Sequence, residues 1–363
     1  MKVLGDELPD KPEAVSLLWQ SLFMIVPVVS TTFASVGRQF RGLDGGALGW
    51  LFIDEAGQAV PQAAVGAVWR ARRTLVVGDP LQIEPVFTVP AGMIERLASL
   101  RSETQSVCFW PHKSSVQRLA DLANQYGASV PVDGDQEEWI RSPLRVHRRC
   151  ADPMFSIANR IAYLGKMVLD LPDRKSPMAA HDFGESAWID LPGRVTDGQV
   201  VPEQIQFCIE LVERAYAEQG RLPACYIITP FRKIRSALRS RLGDEKRWRT
   251  LVGAKFSRMF RGDLRAWCNN RIGTVHTFQG KEEQAVIFVL GADHQTEGSA
   301  SWAAKKPNLL NVAVTRAKRR LYIVGDRSLY RKLPYFSHAA AELRRVLPSE
   351  FLNQPAQDLS EQI

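Results

Sequence analysis

The chain has 363 residues, 45% hydrophobic and 24% charged, with 47 Lys and Arg against 39 Asp and Glu, a formal net charge of +8. This composition excludes a disordered chain, and the length suggests two domains, or one and a large part of another. The basic balance favours anionic partners such as nucleic acid.

Residues 1–20 start polar, with Pro9 and Pro12, and become amphipathic, like a helix cut from a longer element. The longest apolar run, Leu22 to Val29, is broken by Pro27 and is too short to span a bilayer; no basic-then-apolar export signal precedes it. Within it, Ile25–Val29 predicts a short buried strand ending in Ser30-Thr31-Thr32. Gly42–Gly49 is a glycine-rich loop. Trp50–Ile53 reads as a buried strand running into Asp54-Glu55, Pro61–Arg70 as a helix, and Thr74–Val77 as a second buried strand running into Gly78-Asp79-Pro80. The acidic, turn-rich stretch Ser129–Glu138 is the expected linker. Strands then follow at Ala187–Asp190, Cys225–Thr229, Ala285–Leu290 and Leu321–Val324, with helices at Glu203–Glu218 and Phe231–Leu242 and a polar tail from Pro348. Strands without alternation, in rotation with helices, predict an α/β doubly wound fold with a parallel sheet covered on both faces. The five cysteines are scattered without C-x-x-C spacing, which argues against zinc or a disulfide framework and for a reducing cytoplasm.

Four blocks carry chemistry. Asp54-Glu55 stands at the carboxyl end of a strand, where open α/β sheets bind ligands. There one acid can hold Mg²⁺ and the next can position or deprotonate an attacking water; a solvated strand end explains the pair equally well. Gly78-Asp79-Pro80-Leu81-Gln82 ends the next strand. A Gly-Asp-Pro turn needs no glutamine two places on, so Gln82 is the informative residue. In Gly273–Glu282, Gly280 permits close approach of a backbone to a ligand. In Leu310–Lys318, Arg316 is a potential arginine finger, or else a surface arginine on a basic helix.

In this order the blocks resemble the motif set of superfamily 1 helicases, in the branch that includes the nonsense-mediated-decay helicase. Motif II is Asp54-Glu55-Ala56-Gly57-Gln58-Ala59, motif III Gly78-Asp79-Pro80-Leu81-Gln82-Ile83, motif V Phe278-Gln279-Gly280-Lys281-Glu282, and motif VI Asn311–Lys318. Leu144–Cys150 is similar to motif IV, with the family arginine at Arg149, although Arg148 stands where the family has an aromatic residue. Val29–Thr32 is similar to the strand-contacting motif that precedes motif II. The resemblance covers roughly residues 25–330 and implies two RecA-like (P-loop NTPase type) domains, the first over 1–130 and truncated at its N-terminus, the second over 142–347, then the tail 348–363.

The resemblance also implies ATP and Mg²⁺ as cofactors, ATP in a cleft between the domains, and 5′→3′ movement on single-stranded DNA or RNA. Asp54 would bind Mg²⁺ and Glu55 would be the base. Gln82 would sense the γ-phosphate, and Arg149 and Arg316 would contact it. Glu282 would contact the ribose, and Gly78, Asp79, Gln279 and Gly280 would line the nucleotide. Thr32, Thr277 and Thr315 would meet the strand or couple the domains' motifs to it. A G-x-x-x-x-G-K-[ST] loop is absent: Gly-Lys occurs only at Gly165-Lys166 and Gly280-Lys281, followed by Met167 and Glu282. The expectation is a helicase fragment accompanied by further domains of a longer protein. The alternative is a non-catalytic nucleic-acid-binding or regulatory remnant. Lys246–Arg271 interleaves basic residues with Trp248, Phe256, Phe260 and Trp267. It fits either a strand-gripping insertion or an amphipathic helix with its aromatics packed inward.

Overall fold

The computed structural model describes residues 12–86, 88–100, 109–133, 136–171, 183–278 and 280–353. The chain divides into two compact units, 1–143 and 144–363.

In the first unit, α1 (Pro12–Ile25) and α2 (Phe33–Gln39) precede β1 (Leu51–Ile53), α3 (Pro61–Arg70), β2 (Thr74–Val76), α4 (Ala91–Ser99) and α5 (Val116–Ala123); a hairpin of β3 (Ala128–Asp133) and β4 (Gln136–Ile140) closes it. β1 and β2 pair in parallel, Ile53 opposite Val76. One face of this pair is covered: Ile53, Ala56, Ala64 and Val116 form a small core. A second core joins Val15 and Trp19 of α1 to Val36, Phe40, Leu43 and Ala67. The expectation of strands buried on both faces is corrected here, because Phe52 and Leu75 point away from the core and are 67% and 48% exposed.

Two further expectations change. Ile25–Val29 is not a strand: α1 runs to Ile25, Val26 N–H still donates to the Leu22 carbonyl at 2.8 Å, and Pro27, which cannot donate, ends the helical bonding. The expected linker Ser129–Glu138 is corrected too: its described residues belong to β3 and β4, which pair antiparallel with Ala128 opposite Ile140.

The second unit begins with β5 (Val146–His147), α6 (Met154–Ala162), β6 (Val168–Leu169) and β7 (Ala187–Asp190). There follow α7 (Pro202–Gln219), β8 (Cys225–Thr229), α8 (Arg232–Leu242), α9 (Glu245–Val252), α10 (Arg258–Arg271), β9 (Ile272–Thr274) and β10 (Glu283–Val289). The unit ends with α11 (Glu297–Ala303), α12 (Asn308–Thr315), β11 (Ala317–Gly325), α13 (Arg327–Tyr330), α14 (Phe336–Glu342), β12 (Arg344–Val346) and α15 (Pro348–Leu352). Six strands form one parallel sheet in the order β12-β7-β11-β10-β8-β9. β8 is buried at every residue, as a strand covered on both faces must be. Pro202 opens α7, and Gly220 at φ 69° ends it, a left-handed cap that glycine adopts without a Cβ penalty. The strand cores meet Trp248, Leu264 and Trp267 of α9 and α10 in one apolar cluster. Mixed α/β architecture around a parallel sheet is thus established. Among the described residues no helix is long and apolar enough to cross a membrane.

Candidate functional site

In the first unit the structure joins Asp54, Glu55, Gly78, Asp79 and Gln82. Adjacent parallel strands end at one edge, so residues that follow β1 meet residues that follow β2. Ala56 N–H donates to the Val77 carbonyl at 3.0 Å. A Cβ on Gly57 would stand 2.8 Å from the Asp79 carbonyl oxygen, and one on Gly78 would stand 2.8 Å from both Ala56 N and Gly57 N. Motifs II and III therefore touch backbone to backbone, and glycine at both positions makes that approach possible.

Asp54 is exposed, and one of its oxygens accepts the Glu55 N–H at 2.9 Å. An outward carboxylate fits Mg²⁺, which is usually held by one or two carboxylates while waters and phosphates complete its shell. Among the described residues no group of three His, Cys, Asp or Glu is close enough to hold a metal alone. Glu55 is at φ 54°, ψ 38°, the left-handed region that non-glycine residues avoid, at a cost of about 1 kcal/mol. Gln58 Nε2 donates to Glu55 Oε2 at 2.9 Å and holds the side chain in place. Asp79 accepts from Leu81 N–H at 2.9 Å and from Gln82 Nε2 at 3.0 Å, so the motif III acid orients the glutamine. Thr32 is exposed at the N-cap of α2, its hydroxyl 3.3 Å from Ser35 Oγ.

Sequence reasoning missed Gln117 and Asp121. Both are buried on α5, with Gln117 Nε2 3.3 Å from each Asp121 carboxylate oxygen; burial raises the Asp121 carboxyl above its usual value. Gln117 Oε1 would lie 3.0 Å from a Cβ on Gly78, so this helix backs the motif II–III contact. The signal was Ser115, an N-cap whose hydroxyl accepts Arg118 N–H at 3.2 Å.

In the second unit the structure joins Arg149, Glu282, Arg316 and Lys318. Glu282 pairs with Arg149 at 3.3 Å and with Lys318. Arg316 is fully buried; its guanidinium donates to the Lys281 carbonyl at 3.0 Å, and its own carbonyl accepts Glu283 N–H at 2.9 Å. The expectation of a surface arginine is corrected: the side chain is inside, and its guanidinium ties the motif V backbone to motif VI. Thr315 is also buried, its hydroxyl donating to the Asn311 carbonyl at 2.8 Å. Thr277 is exposed, its hydroxyl 3.2 Å from that of Thr274. Gly280 has φ 71°, which suits glycine. Gln279 lies outside the described residues.

His147 sets the geometry of the loop carrying Arg149. Its Nε2 accepts Cys150 N–H at 3.0 Å and lies 2.9 Å from Cys150 Sγ. That acceptor role requires the neutral ring. Burial, and then the positive charge of Arg149, hold the ring below its ordinary 6.5. Burial also pushes the Cys150 thiol up to about 12. His276 is lowered in the same way by burial and by Arg232. As pH falls, the unfolded chain protonates these rings before the folded one does. Their contribution is thus fully present above about 6.5 and is lost as pH falls towards the folded values. We expect the urea midpoint of the second unit to decline below about pH 6.5, and H147Q/H276Q to flatten that decline. An unchanged slope in the double variant would count against the assignment.

A family model described as an AAA domain matches residues 137–328, more than half of the chain, and a second with the same description matches residues 14–89. The chain is similar to the DNA replication ATP-dependent helicase/nuclease DNA2 of Mus musculus, 22% identical over 360 residues, covering 89% of this chain and 29% of that protein. It is similar also to regulator of nonsense transcripts 1 of Dictyostelium discoideum, 24% identical over 296 residues, covering 79% of this chain and 19% of that protein. The chain thus spans less than a third of these relatives' length. Among solved structures, the arterivirus nonstructural protein 10 (helicase) with DNA matches at 15% identity with a TM-score of 0.33, over 78% of this chain and 41% of that one. The same helicase in a second crystal structure matches at 14% and 0.32, over 78% and 42%. The ordered motifs and the AAA-domain match together place the chain in the superfamily 1 helicases, in the branch of the regulator of nonsense transcripts.

Proposed function

We propose that this chain is part of an ATP-dependent motor that moves 5′→3′ along single-stranded DNA or RNA. The observation that carries this reading is the meeting of Asp54-Glu55 with Gly78-Asp79 and Gln82 at the ends of two adjacent parallel strands. Helicase families of this kind use ATP with Mg²⁺. Bound Mg²⁺ would neutralise phosphate charge during transfer. Asp54 would hold it through its outward carboxylate. Glu55, fixed by Gln58, would take the proton of the attacking water. Gln82, held by Asp79, would report on the γ-phosphate through its amide. In the second unit, Arg149 would supply positive charge on leaving Glu282, while buried Arg316 would hold the motif V and VI backbones in register. Gly280 and Glu282 would line the nucleotide beside Gln279, and Thr32 and Thr277 would meet the strand.

A second reading, strand binding without hydrolysis, is favoured by the burial of Arg316, whose guanidinium is engaged with a backbone carbonyl. Neither reading expects turnover from this chain alone. A G-x-x-x-x-G-K-[ST] loop supplies the main β/γ-phosphate contacts in such motors, and the 363 residues contain none. Residues 1–363 with Mg²⁺-ATP and single strands should therefore bind the strand weakly and turn over negligibly. Turnover of about 1 per second or more, abolished by E55Q, would show that this chain hydrolyses ATP without that loop. Failure to bind any single strand would overturn both readings.

A further inference from the structure

Between Glu245 and Arg271 eight Lys and Arg stand against two acids, Glu245 and Asp263. The aromatic residues of this segment face inward. Trp248 and Trp267 are 0% and 9% exposed, and their ring N–H groups donate to the Leu242 and Pro223 carbonyls at 2.6 and 2.9 Å. Such rings do not stack on bases. Inward packing of Trp248, Leu264 and Trp267 fixes the orientation of α9 and α10 and leaves guanidinium groups on the outside.

Three of those groups converge on one carboxylate. Arg265 Nη2 lies 3.2 Å from Glu245 Oε1, and Arg261 Nε and Arg249 Nη2 lie 3.1 and 3.9 Å from Oε2. Arg249 and Arg261 both stand over the Phe256 ring, 4.6 and 5.8 Å from its centroid, and Phe260 backs that ring at 5.5 Å. Asp263 is two positions from both Arg261 and Arg265, hence on another side of α10. The cluster therefore carries three positive charges and one negative. Planar guanidinium forks match phosphate oxygens, and a ring face holds the forks at little entropic cost.

We propose that Arg249, Arg261 and Arg265 form an accessory phosphate subsite for single-stranded nucleic acid, outside the motif residues, with Glu245 as the internal counter-ion that a strand phosphate displaces. This rests on the reading of the chain as strand-binding. The subsite takes phosphate and not bases, so it is indifferent to sequence. Its contribution is counterion release and fades with salt.

The test uses residues 1–363 and fluorescent oligothymidylate, with anisotropy followed across a salt series. R249Q/R261Q/R265Q should weaken binding about tenfold or more near 0.1 M salt, and should lower the log–log salt slope by about 1 to 2. E245Q should act in the opposite direction, tightening binding about fivefold and steepening the slope by about 0.7. Arg249 and Arg265 are exposed while Arg261 and Glu245 are half-buried, so a circular dichroism melt identical to the parent's is the control that the variants are folded. If the parent binds and both variants match it in affinity and slope, the subsite is refuted while strand binding stands. Should E245Q weaken binding as the arginine variants do, Glu245 props the strand site and is no counter-ion, which also overturns the proposal. If the parent binds no strand at all, the functional reading falls and the subsite falls with it.

Discussion

Replacing Arg316 by alanine should cost the second unit about 3 kcal/mol of stability. Two effects add. The Lys281 carbonyl loses a charged donor at 3.0 Å in a part-buried contact. A hydrogen bond to a charged group is worth about 1.5–3 kcal/mol. A large side chain with no exposed surface also leaves a cavity. R316M keeps most of the volume and should recover part of the loss; R316K keeps charge but not the planar reach and should fall between. Hydrogen exchange of the β10 and β11 amides reads the effect locally, because Glu283 N–H donates to the Arg316 carbonyl where these strands begin. An alanine variant with parental protection there would mean that Arg316 is no structural lock.

Arg316 also shows what the sequence conceals. Its place in Val314-Thr315-Arg316-Ala317 was legible, but its burial was not, because arginine is rarely inside unless engaged. The engagement is with a main-chain carbonyl 35 residues away, which no side-chain pattern announces. The strands of the second unit were legible for the opposite reason. Ala187–Asp190 and Cys225–Thr229 are short apolar runs bounded by polar turns, and both match β7 and β8. At the first unit's start the same rule failed. Leu22–Val29 is apolar throughout, and a short apolar run does not by itself separate helix from strand. Pro27 decided it by stopping α1. The β3–β4 hairpin was read as a linker because Asp133, Asp135, Glu137 and Glu138 make the stretch acidic, which hides the pairing of Ala128 with Ile140. The meeting of motifs II and III followed from parallel strands, whereas the support of Gln117 and Asp121 behind them depends on how α5 packs.

The sharpest contrast in the first unit is expected between two glycines. Gly66, exposed within α3, has only the far end of the Arg70 side chain near a new Cβ, at 3.4 Å. G66A should stabilise the unit by about 0.5–1 kcal/mol, since alanine loses less backbone freedom in a helix than glycine. Gly78 offers no such room. A Cβ there would lie 2.8 Å from the Ala56 and Gly57 nitrogens, which are main chain and cannot rotate away, and 3.0 Å from Gln117 Oε1. Relief requires motif III to retreat from motif II, stretching the 3.0 Å bond from Ala56 N–H to the Val77 carbonyl. Overpacking of this kind costs about 1–3 kcal/mol, and a contact made of backbone on both sides places G78A at the upper end. Hydrogen exchange of the amides at 53–58 and 76–79 should show one to two orders of magnitude less protection in G78A and a modest gain in G66A. The same displacement moves Asp54 and Glu55 relative to Gln82, so G78A should also weaken Mg²⁺-nucleotide binding where G66A does not. Equal protection in the two variants would show that motifs II and III are not in contact, and the candidate site in the first unit would have to be redrawn.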